Sequence, residues 1–273
     1  MKRQASHWNA HALQWNLIGS PLRPDRDDIV TLEKEAERWH ASERVAKPQA
    51  MLLGVTPEIA SMRWPAHTRL VSMEHSLAMI RSVWPGARLG HSAVCAEWLA
   101  LPVPDASQDI VVGDGCYNML GNTQYRAMTR EVRRIIRPHG IFIMRFFIRP
   151  DKSESVSRVA DDLMRKRIGN FHIFKWRLAM ALHASLDAGV KLADIWDAWN
   201  SLVPAPGELA AKLGWPLAVL DTVRAYRGVD TRYTFPTMME AREALLNAFS
   251  EIDCHVPHYE MGDRCPTIVF QPR

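Results

Sequence analysis

The chain has 273 residues, of which 47% are hydrophobic and 23% are charged. This balance allows a packed core and excludes an intrinsically disordered chain. The 34 lysines and arginines exceed the 30 acids by too little to predict a nucleic-acid binder from charge alone. Because the four cysteines include no C-x-x-C pair and no apolar run reaches membrane-spanning length, we expect a reduced cytoplasmic protein without membrane attachment.

Residues 1–47 predict a helical cap on the segments that follow. Trp8 and Trp15 share one face of a first helix, which ends before a proline-containing break. Asp25 and Asp28 then begin a second helix as its N-cap and its third-position acid.

Residues 48–149 predict an α/β core, because short apolar runs alternate with helical patterns. Such alternation, without tight hairpin turns, is typical of a parallel sheet covered by helices on both faces. Strands are predicted at 51–55, 69–73, 92–96, 110–113 and 141–147, and helices at 76–83 and 124–136.

Residues 150–235 predict a helical insertion that interrupts the sheet and acts as a lid over an acceptor. Residues 236–273 then predict a helix near 237–249 and two strands, 252–257 and 267–271, which bring the sheet to seven strands and place an antiparallel strand in it. The aromatic residues of the insertion fit either an acceptor pocket or the packed core of the lid: Phe171, Phe174, Trp176, Trp196 and Trp199.

Candidate ligand-binding residues follow the first three strands, since ligands of open parallel sheets bind beyond the carboxyl ends of the strands. Gly54 allows the backbone of the first turn to approach a ligand. Glu74 lies about 20 residues further on, the separation at which an acid reaches a ribose hydroxyl in a nucleotide-binding βαβ unit. Glu97 and Trp98 follow the third strand.

The run 97–113 resembles a segment of class I S-adenosylmethionine-dependent methyltransferases. In that segment an acid meets the adenine amino group, a Leu-Pro turn follows and an aspartate introduces the fourth strand; here the two acids are Glu97 and Asp109. The resemblance extends in order from about 46 to 147, and the turn at 134–140 is similar to the family's Arg-hydrophobic-Leu-Lys-Pro-Gly-Gly. It implies a Rossmann-like fold, S-adenosylmethionine as cofactor and methyltransferase activity.

The resemblance also implies roles for the site residues. Glu74, with His75 beside it, would hold the ribose diol, and Glu97 with Trp98 would bracket the adenine. Two carboxylates suit a diol and an exocyclic amine, and an aromatic ring suits a flat base. The methionine and methyl region would be lined by residues after the fourth strand, namely Asp114, Gly115 and Tyr117.

The first motif departs from the family pattern. An acid two residues before the first glycine and two further glycines are usual, whereas this chain has at those positions Leu52, Thr56 and Glu58. With Gly54 against the amino acid portion of the cofactor, Thr56 and Pro57 predict a differently shaped turn. Arg23, from the cap, is a candidate partner for the cofactor carboxylate.

No catalytic residue is predicted, because methyl transfer from a sulfonium depends mainly on positioning a nucleophile in a desolvated pocket. A base is required only for an acceptor that is protonated at the working pH. His172 and His183 lie in the insertion, where helical histidines are more often packed or exposed than catalytic. No metal site is predicted either, since adjacent strand residues point to opposite faces, which separates the candidate ligands Cys254, His255, His258 and Cys265.

The leading hypothesis is methyl transfer to a small-molecule oxygen or nitrogen nucleophile. The altered first motif keeps open a non-catalytic protein that retains the fold as a scaffold or regulatory platform. RNA methylation is least favoured, because 114–118 is not an Asn-Pro-Pro-Tyr-like segment. The spacing of the main arginine cluster is typical of a solvated helix face: Arg130, Arg133, Arg134 and Arg137. The acceptor and the oligomeric state stay open.

Overall fold

The computed structural model describes residues 2–86, 88 and 90–273, with side chains described from Trp8 onward. Its strands are β1 Gln49–Leu53, β2 Arg69–Glu74, β3 His91–Cys95, β4 Gln108–Asp114, β5 Ile136–Arg145, β6 Val190–Lys191, β7 Arg232–Tyr233, β8 Phe249–His255 and β9 Thr267–Pro272. Its helices are α1 Lys2–Leu13, α2 Arg26–Glu43, α3 Pro57–Ala60, α4 Leu77–Val83, α5 Asn122–Ile135, α6 Val156–Met164, α7 Phe171–Leu182, α8 Leu192–Leu202, α9 Pro206–Leu213, α10 Leu217–Asp221 and α11 Met238–Leu245.

Seven of the strands form one sheet in the order β3-β2-β1-β4-β5-β9-β8. Strands β1 to β5 are parallel, whereas β9 runs antiparallel to both of its neighbours, β5 and β8. The predicted fold class is therefore confirmed as a mostly parallel, seven-stranded Rossmann-like sheet that the closing hairpin completes.

Both faces of the sheet are covered, and the residues of β1 are buried on both faces. Ala50 and Leu52 join the core against α2, whereas Met51 and Leu53 join the core against α5. A strand buried on both faces is apolar along its whole length instead of alternating. Leu52, at the position where the family usually carries an acid, is thus part of the core.

Several elements differ from their predicted bounds. Strand β5 begins at Ile136, earlier than predicted, because Ile136 already pairs with β4 before a shift in register. Gly140 lies in this irregular stretch, where a Cβ atom would come within 2.7 Å of the carbonyl oxygen of Asp109. The closing helix ends early, at Leu245, because β8 already begins at Phe249. The insertion, predicted to be helical, also contains the antiparallel pair of β6 and β7.

The cap and the insertion meet over the sheet. Helix α1 contacts α4 and the 3-10 turn Thr222–Tyr226 of the insertion. Helix α2 begins with the predicted capping box of Asp25 and Asp28 and then packs on β5 and β9. The division of the chain into four units stays a prediction. None of the helices in the described part of the chain combines the length and apolar character needed to cross a membrane.

Candidate functional site

A cavity of about 730 Å³, with the solvent at its mouth included, lies at the carboxyl ends of β1, β2 and β4. Ligands of open α/β sheets bind at this edge. The sheet side of the cavity includes Leu53, Gly54, Val55, Thr56, Glu74, Trp98, Asp114 and Gly115. Phe147, just after β5, also lines the cavity, and the cap and the insertion supply the opposite wall: Trp8, His11, Trp15, Ile18, Leu22, Trp176, Tyr226 and Tyr233. A second cavity of about 760 Å³ adjoins the first and shares with it Trp8, Trp98, Met119 and Tyr233.

Gly54 keeps the turn after β1 open. Its φ of +111° is a left-handed conformation that favours glycine, and no described heavy atom lies within 4 Å of the place a Cβ would take. Thr56 is the N-cap residue of α3 and lines the cavity, and its side chain makes no capping hydrogen bond there. Pro57 begins α3 and is not among the described residues that line either cavity. The turn therefore presents backbone to a ligand.

Glu74 ends β2 and has only 5% of its surface exposed. Its Oε1 accepts a hydrogen bond from the backbone N–H of Ser76 at 2.8 Å and lies 3.1 Å from Nδ1 of His75. Hydrogen bonding to Glu74, opposed by burial, raises the pKa of His75. Because both contacts use Oε1, the carboxylate is held in one orientation at the cavity wall.

Glu97 and Trp98 lie beside His75 in the second cavity. The indole N–H of Trp98 donates to the carbonyl oxygen of Met73 at 2.6 Å, and the Trp98 and His75 rings meet edge-on with centroids 6.0 Å apart. Glu97 is close enough to His75 to add to the rise of its pKa. The residues that follow β2 and β3 are therefore gathered at adjoining cavities on one edge of the sheet.

Asp114 ends β4 and pairs with an arginine that sequence reasoning missed. Arg145, at the end of β5, is fully buried, and its Nε and Nη2 each lie 2.8 Å from Oδ1 of Asp114. Its Nη1 donates to the carbonyl oxygen of Pro21 at 3.0 Å and lies 3.5 Å from Oδ2 of Asp28. Arg145 therefore ties the cap to the cavity edge.

Burial and charge oppose each other in this buried pair. Burial raises the pKa of Asp114 above its ordinary value, and the guanidinium of Arg145 offsets only part of that rise. Burial lowers the pKa of Arg145, but the carboxylates of Asp114 and Asp28 outweigh burial and raise it. Arg145 therefore stays charged and balances the carboxylates around it. The sequence could have indicated Arg145 as a site residue through its position near the carboxyl end of the predicted strand 141–147.

Tyr117 corrects the predicted site. Its side chain is fully buried against α5, its hydroxyl hydrogen-bonds the Oγ1 of Thr129 at 2.8 Å, and it lines neither cavity. The 3-10 turn Tyr117–Met119 carries the ring into the core. Gly115 does line the cavity, with φ of +63°, and a Cβ there would lie 2.8 Å from the Phe147 ring.

Arg23 is a second correction. Its Nε donates to Oε1 of Glu58 at 2.6 Å, and its Nη1 donates to the carbonyl oxygens of Trp15 and Ile18, each at 3.2 Å. Its charge is therefore balanced within the protein, and it is not among the described residues that line the cavity. The pair joins the cap to α3 instead of facing a cofactor carboxylate.

The aromatic wall combines residues from distant parts of the chain. Of the five aromatic candidates of the insertion, Trp176 lines the cavity, whereas Phe171, Phe174 and Trp199 belong to the buried core of the insertion and Trp196 packs against it. The remaining aromatic residues that line the cavity were not predicted as cavity residues: Trp8, His11, Trp15, Phe147, Tyr226 and Tyr233. The sequence indicated only that Trp8 and Trp15 share one helical face, which is the face that the cap contributes to the cavity wall.

The two histidines of the insertion are packed. Burial lowers the pKa of His172 to about 3 and that of His183 to about 4, so both are neutral. The Nε2 of His172 lies 3.0 Å from the carbonyl oxygen of Leu17, and the Nε2 of His183 accepts a hydrogen bond from the backbone N–H of Phe235 at 3.2 Å. These contacts hold the Nε2 atom of each ring in place.

Residues 54–144 match the family model described as a methyltransferase domain, a family that uses S-adenosylmethionine. No curated protein sequence matches the chain. Among solved structures, a protein of Pyrococcus horikoshii is 11% identical, with 93% of this chain and 94% of that one covered and a TM-score of 0.50.

A putative methyltransferase from Haloferax volcanii, solved in complex with the Trm112 methyltransferase activator, is also 11% identical, with 97% of each chain covered and a TM-score of 0.50. A protein from Rhodobacter sphaeroides described as a putative zinc-dependent alcohol dehydrogenase is 10% identical, with 97% of this chain and 98% of that one covered and a TM-score of 0.55. At such low identity these likenesses show the fold alone.

Proposed function

We propose that this chain, a class I S-adenosylmethionine-dependent methyltransferase, transfers a methyl group to a small, flat and largely apolar acceptor that carries a hydroxyl or an amine. The observation that carries the proposal is one cavity that joins strand-end carboxylates to a wall of aromatic side chains. The carboxylates suit the polar cofactor, and the aromatic wall suits an apolar acceptor.

The strand-end residues fit the groups of the cofactor. Glu74 accepts the ribose hydroxyls, while Glu97 and Trp98 hold the adenine, because a carboxylate suits a diol or an exocyclic amine. Since Leu52 leaves no acid in the first motif, Asp114 takes the cofactor's amino group. The described contacts of Arg145 to Asp114 both use Oδ1, which leaves Oδ2 for that ammonium.

The aromatic wall prepares the transfer step. When bound, S-adenosylmethionine supplies an electrophilic methyl group on a sulfonium. Trp8, Trp15 and Trp176 line the cavity from the opposite wall, and aromatic faces attract a cation without providing a competing nucleophile. The same surfaces exclude water from the space in which an acceptor lies, so that its nucleophilic atom is positioned against the methyl group.

His11 is the base in this proposal. It lies in α1, is 6% exposed and lines the acceptor side of the cavity, with its ring 5.7 Å from that of Trp8 and 5.6 Å from that of Tyr226. Imidazole accepts a proton near neutral pH, whereas burial raises the pKa of the Tyr226 hydroxyl well above its ordinary value and leaves it a poor base.

The test is a set of phenols, catechols, indoles and aryl amines offered with labelled S-adenosylmethionine, with product identified by mass spectrometry. We expect at least one aromatic acceptor to be methylated. His11→Asn keeps a polar side chain without the base, and we expect it to lower kcat by about 10²-fold with little change in cofactor affinity. Methylation of charged aliphatic acceptors alone, or full activity of His11→Asn, would contradict the proposal.

The scaffold and RNA hypotheses receive less support. A scaffold has no use for an uncovered turn at Gly54, whose Cβ position is open to the cavity. Two of the clustered arginines are held by acids of the protein: Arg134, in α5, contacts Glu131 and Asp105, and Arg137, at the start of β5, contacts Asp109. RNA binding that weakens steeply with salt would restore the RNA hypothesis.

A further inference from the structure

A second group of ligand-type side chains lies where α2 packs against the edge strand β8. Glu35 comes from α2, whereas Asp253 and His255 come from β8. We propose that these three residues bind a divalent transition-metal cation, for which zinc is the best chemical match. One carboxylate from a buried helix face, a second carboxylate and an imidazole form a donor set that zinc accepts, with water in the fourth position.

The spacing of the donor atoms fits a tetrahedral ion. The Nε2 of His255 lies 3.1 Å from Oε1 of Glu35 and 3.5 Å from Oδ2 of Asp253, and the three donor atoms lie within 4.8 Å of one another. Bonds of about 2.0–2.1 Å to a tetrahedral zinc ion imply ligand-to-ligand separations of about 3.3 Å. Two of the three separations match without any rearrangement of the backbone.

Glu35 supplies an independent observation. Its surface is only 2% exposed, and its Oε1 has no hydrogen-bond partner among the described residues. The buried Nε2 of His255 also has no hydrogen-bond partner among the described residues. It lies 3.1 Å from Oε1 of Glu35, so these two atoms are close without the alignment of a hydrogen bond. A buried carboxylate oxygen that accepts no hydrogen bond is costly, and a metal ion bound between Oε1 and Nε2 would offset that cost.

Arg38 is the cation that now neighbours the cluster. Its Nη2 lies 3.2 Å from Oε1 of Glu35, and its Nη1 lies 2.9 Å from Oδ2 of Asp253. One guanidinium therefore contacts both carboxylates of the cluster. The Arg38 side chain is 52% exposed and can release Glu35 to a metal while it keeps its hydrogen bond to Asp253, as outer partners of metal ligands commonly do.

An entry path is present beside the cluster. A surface hollow of about 530 Å³, with open solvent included, is bordered by one of the three ligands, Glu35, and by Arg38, Trp39, Ile252 and Gln271. It provides access for a hydrated ion and room for the water that completes the coordination. A bound ion would link the cap helix α2 to the edge strand β8, two elements that are far apart in the sequence.

The experiment uses the full chain after removal of metal with a chelator. Zn²⁺ is titrated by calorimetry, and Co²⁺ is added to record the visible absorption of a tetrahedral site. We expect one equivalent to bind, with a rise in Tm, and we expect Glu35→Gln and His255→Ala each to weaken binding at least tenfold and to abolish the Co²⁺ bands.

Two controls keep the result specific. His258→Ala removes an exposed histidine nearby on the chain, and Cys254→Ser removes a neighbouring thiol; both are expected to leave binding unchanged. Equal affinity in wild type, Glu35→Gln and His255→Ala would overturn the proposal, as would the absence of binding to the wild type. If Glu35→Gln does not fold, His255→Ala, whose side chain is 25% exposed, decides the question alone.

Discussion

Replacement of Glu74 by alanine is expected to abolish most of the affinity for the cofactor. Glu74 has 5% of its surface exposed, and its carboxylate is oriented by the Ser76 N–H at 2.8 Å and by His75 at 3.1 Å. Two hydrogen bonds from a ribose diol to such a charged acceptor contribute roughly 3 to 6 kcal/mol together. Their loss corresponds to an increase in Kd of about two to four orders of magnitude.

The assay is calorimetric titration of S-adenosylhomocysteine into wild type and Glu74→Ala, with Tm measured for both proteins. Glu33→Ala is the matched control, because Glu33 contacts Arg63 outside the cavity. The variant must keep a cooperative unfolding transition for the comparison to count. Unchanged affinity in a folded Glu74→Ala protein would refute the assignment of the ribose to this strand end.

Three further outcomes follow from the described contacts. Arg145→Met leaves the carboxylates of Asp114 and Asp28 buried without their cation, so the free energy of unfolding in urea is expected to fall by roughly 3–5 kcal/mol. Trp8→Ala removes part of the wall of both cavities and is expected to raise the KM for the acceptor several-fold in steady-state kinetics. Lys175, 1% exposed, has a pKa lowered by burial to about 7, so the unfolded chain binds more protons above that pH and stability rises towards pH 10.5. Lys175→Met is therefore expected to be more stable than wild type near pH 7, and its advantage in urea unfolding is expected to shrink by about 1.4 kcal/mol per pH unit as the pH rises. A constant advantage from neutral to alkaline pH would contradict this assignment.

The elements of the sheet could be predicted because they depend on local patterns. Apolar runs and caps indicated every strand of the seven-stranded sheet, and the strand-end rule placed Glu74 and Glu97 on one edge. Gly54 and Gly115 have positive φ values at that edge, which a sequence indicates through the residue type.

The rest depends on contacts between residues that are distant in sequence. Arg23 pairs with Glu58, and Arg145 reaches Pro21 and Asp28, which no local pattern reveals. Tyr117 follows the right strand, but a single 3-10 turn carries its ring into the core. The metal-ligand candidates visible in the sequence all lie within 254–265, whereas the proposed partner Glu35 comes from the cap.

The most direct measurement of the central claim is a crystal structure of the full chain with S-adenosylhomocysteine. We expect the ribose hydroxyls on Glu74, the adenine between Trp98 and Glu97, and the sulfur facing Trp176 and His11. A ligand bound elsewhere, or an adenosine placed in this cavity with its sulfur turned away from the aromatic wall, would contradict the account.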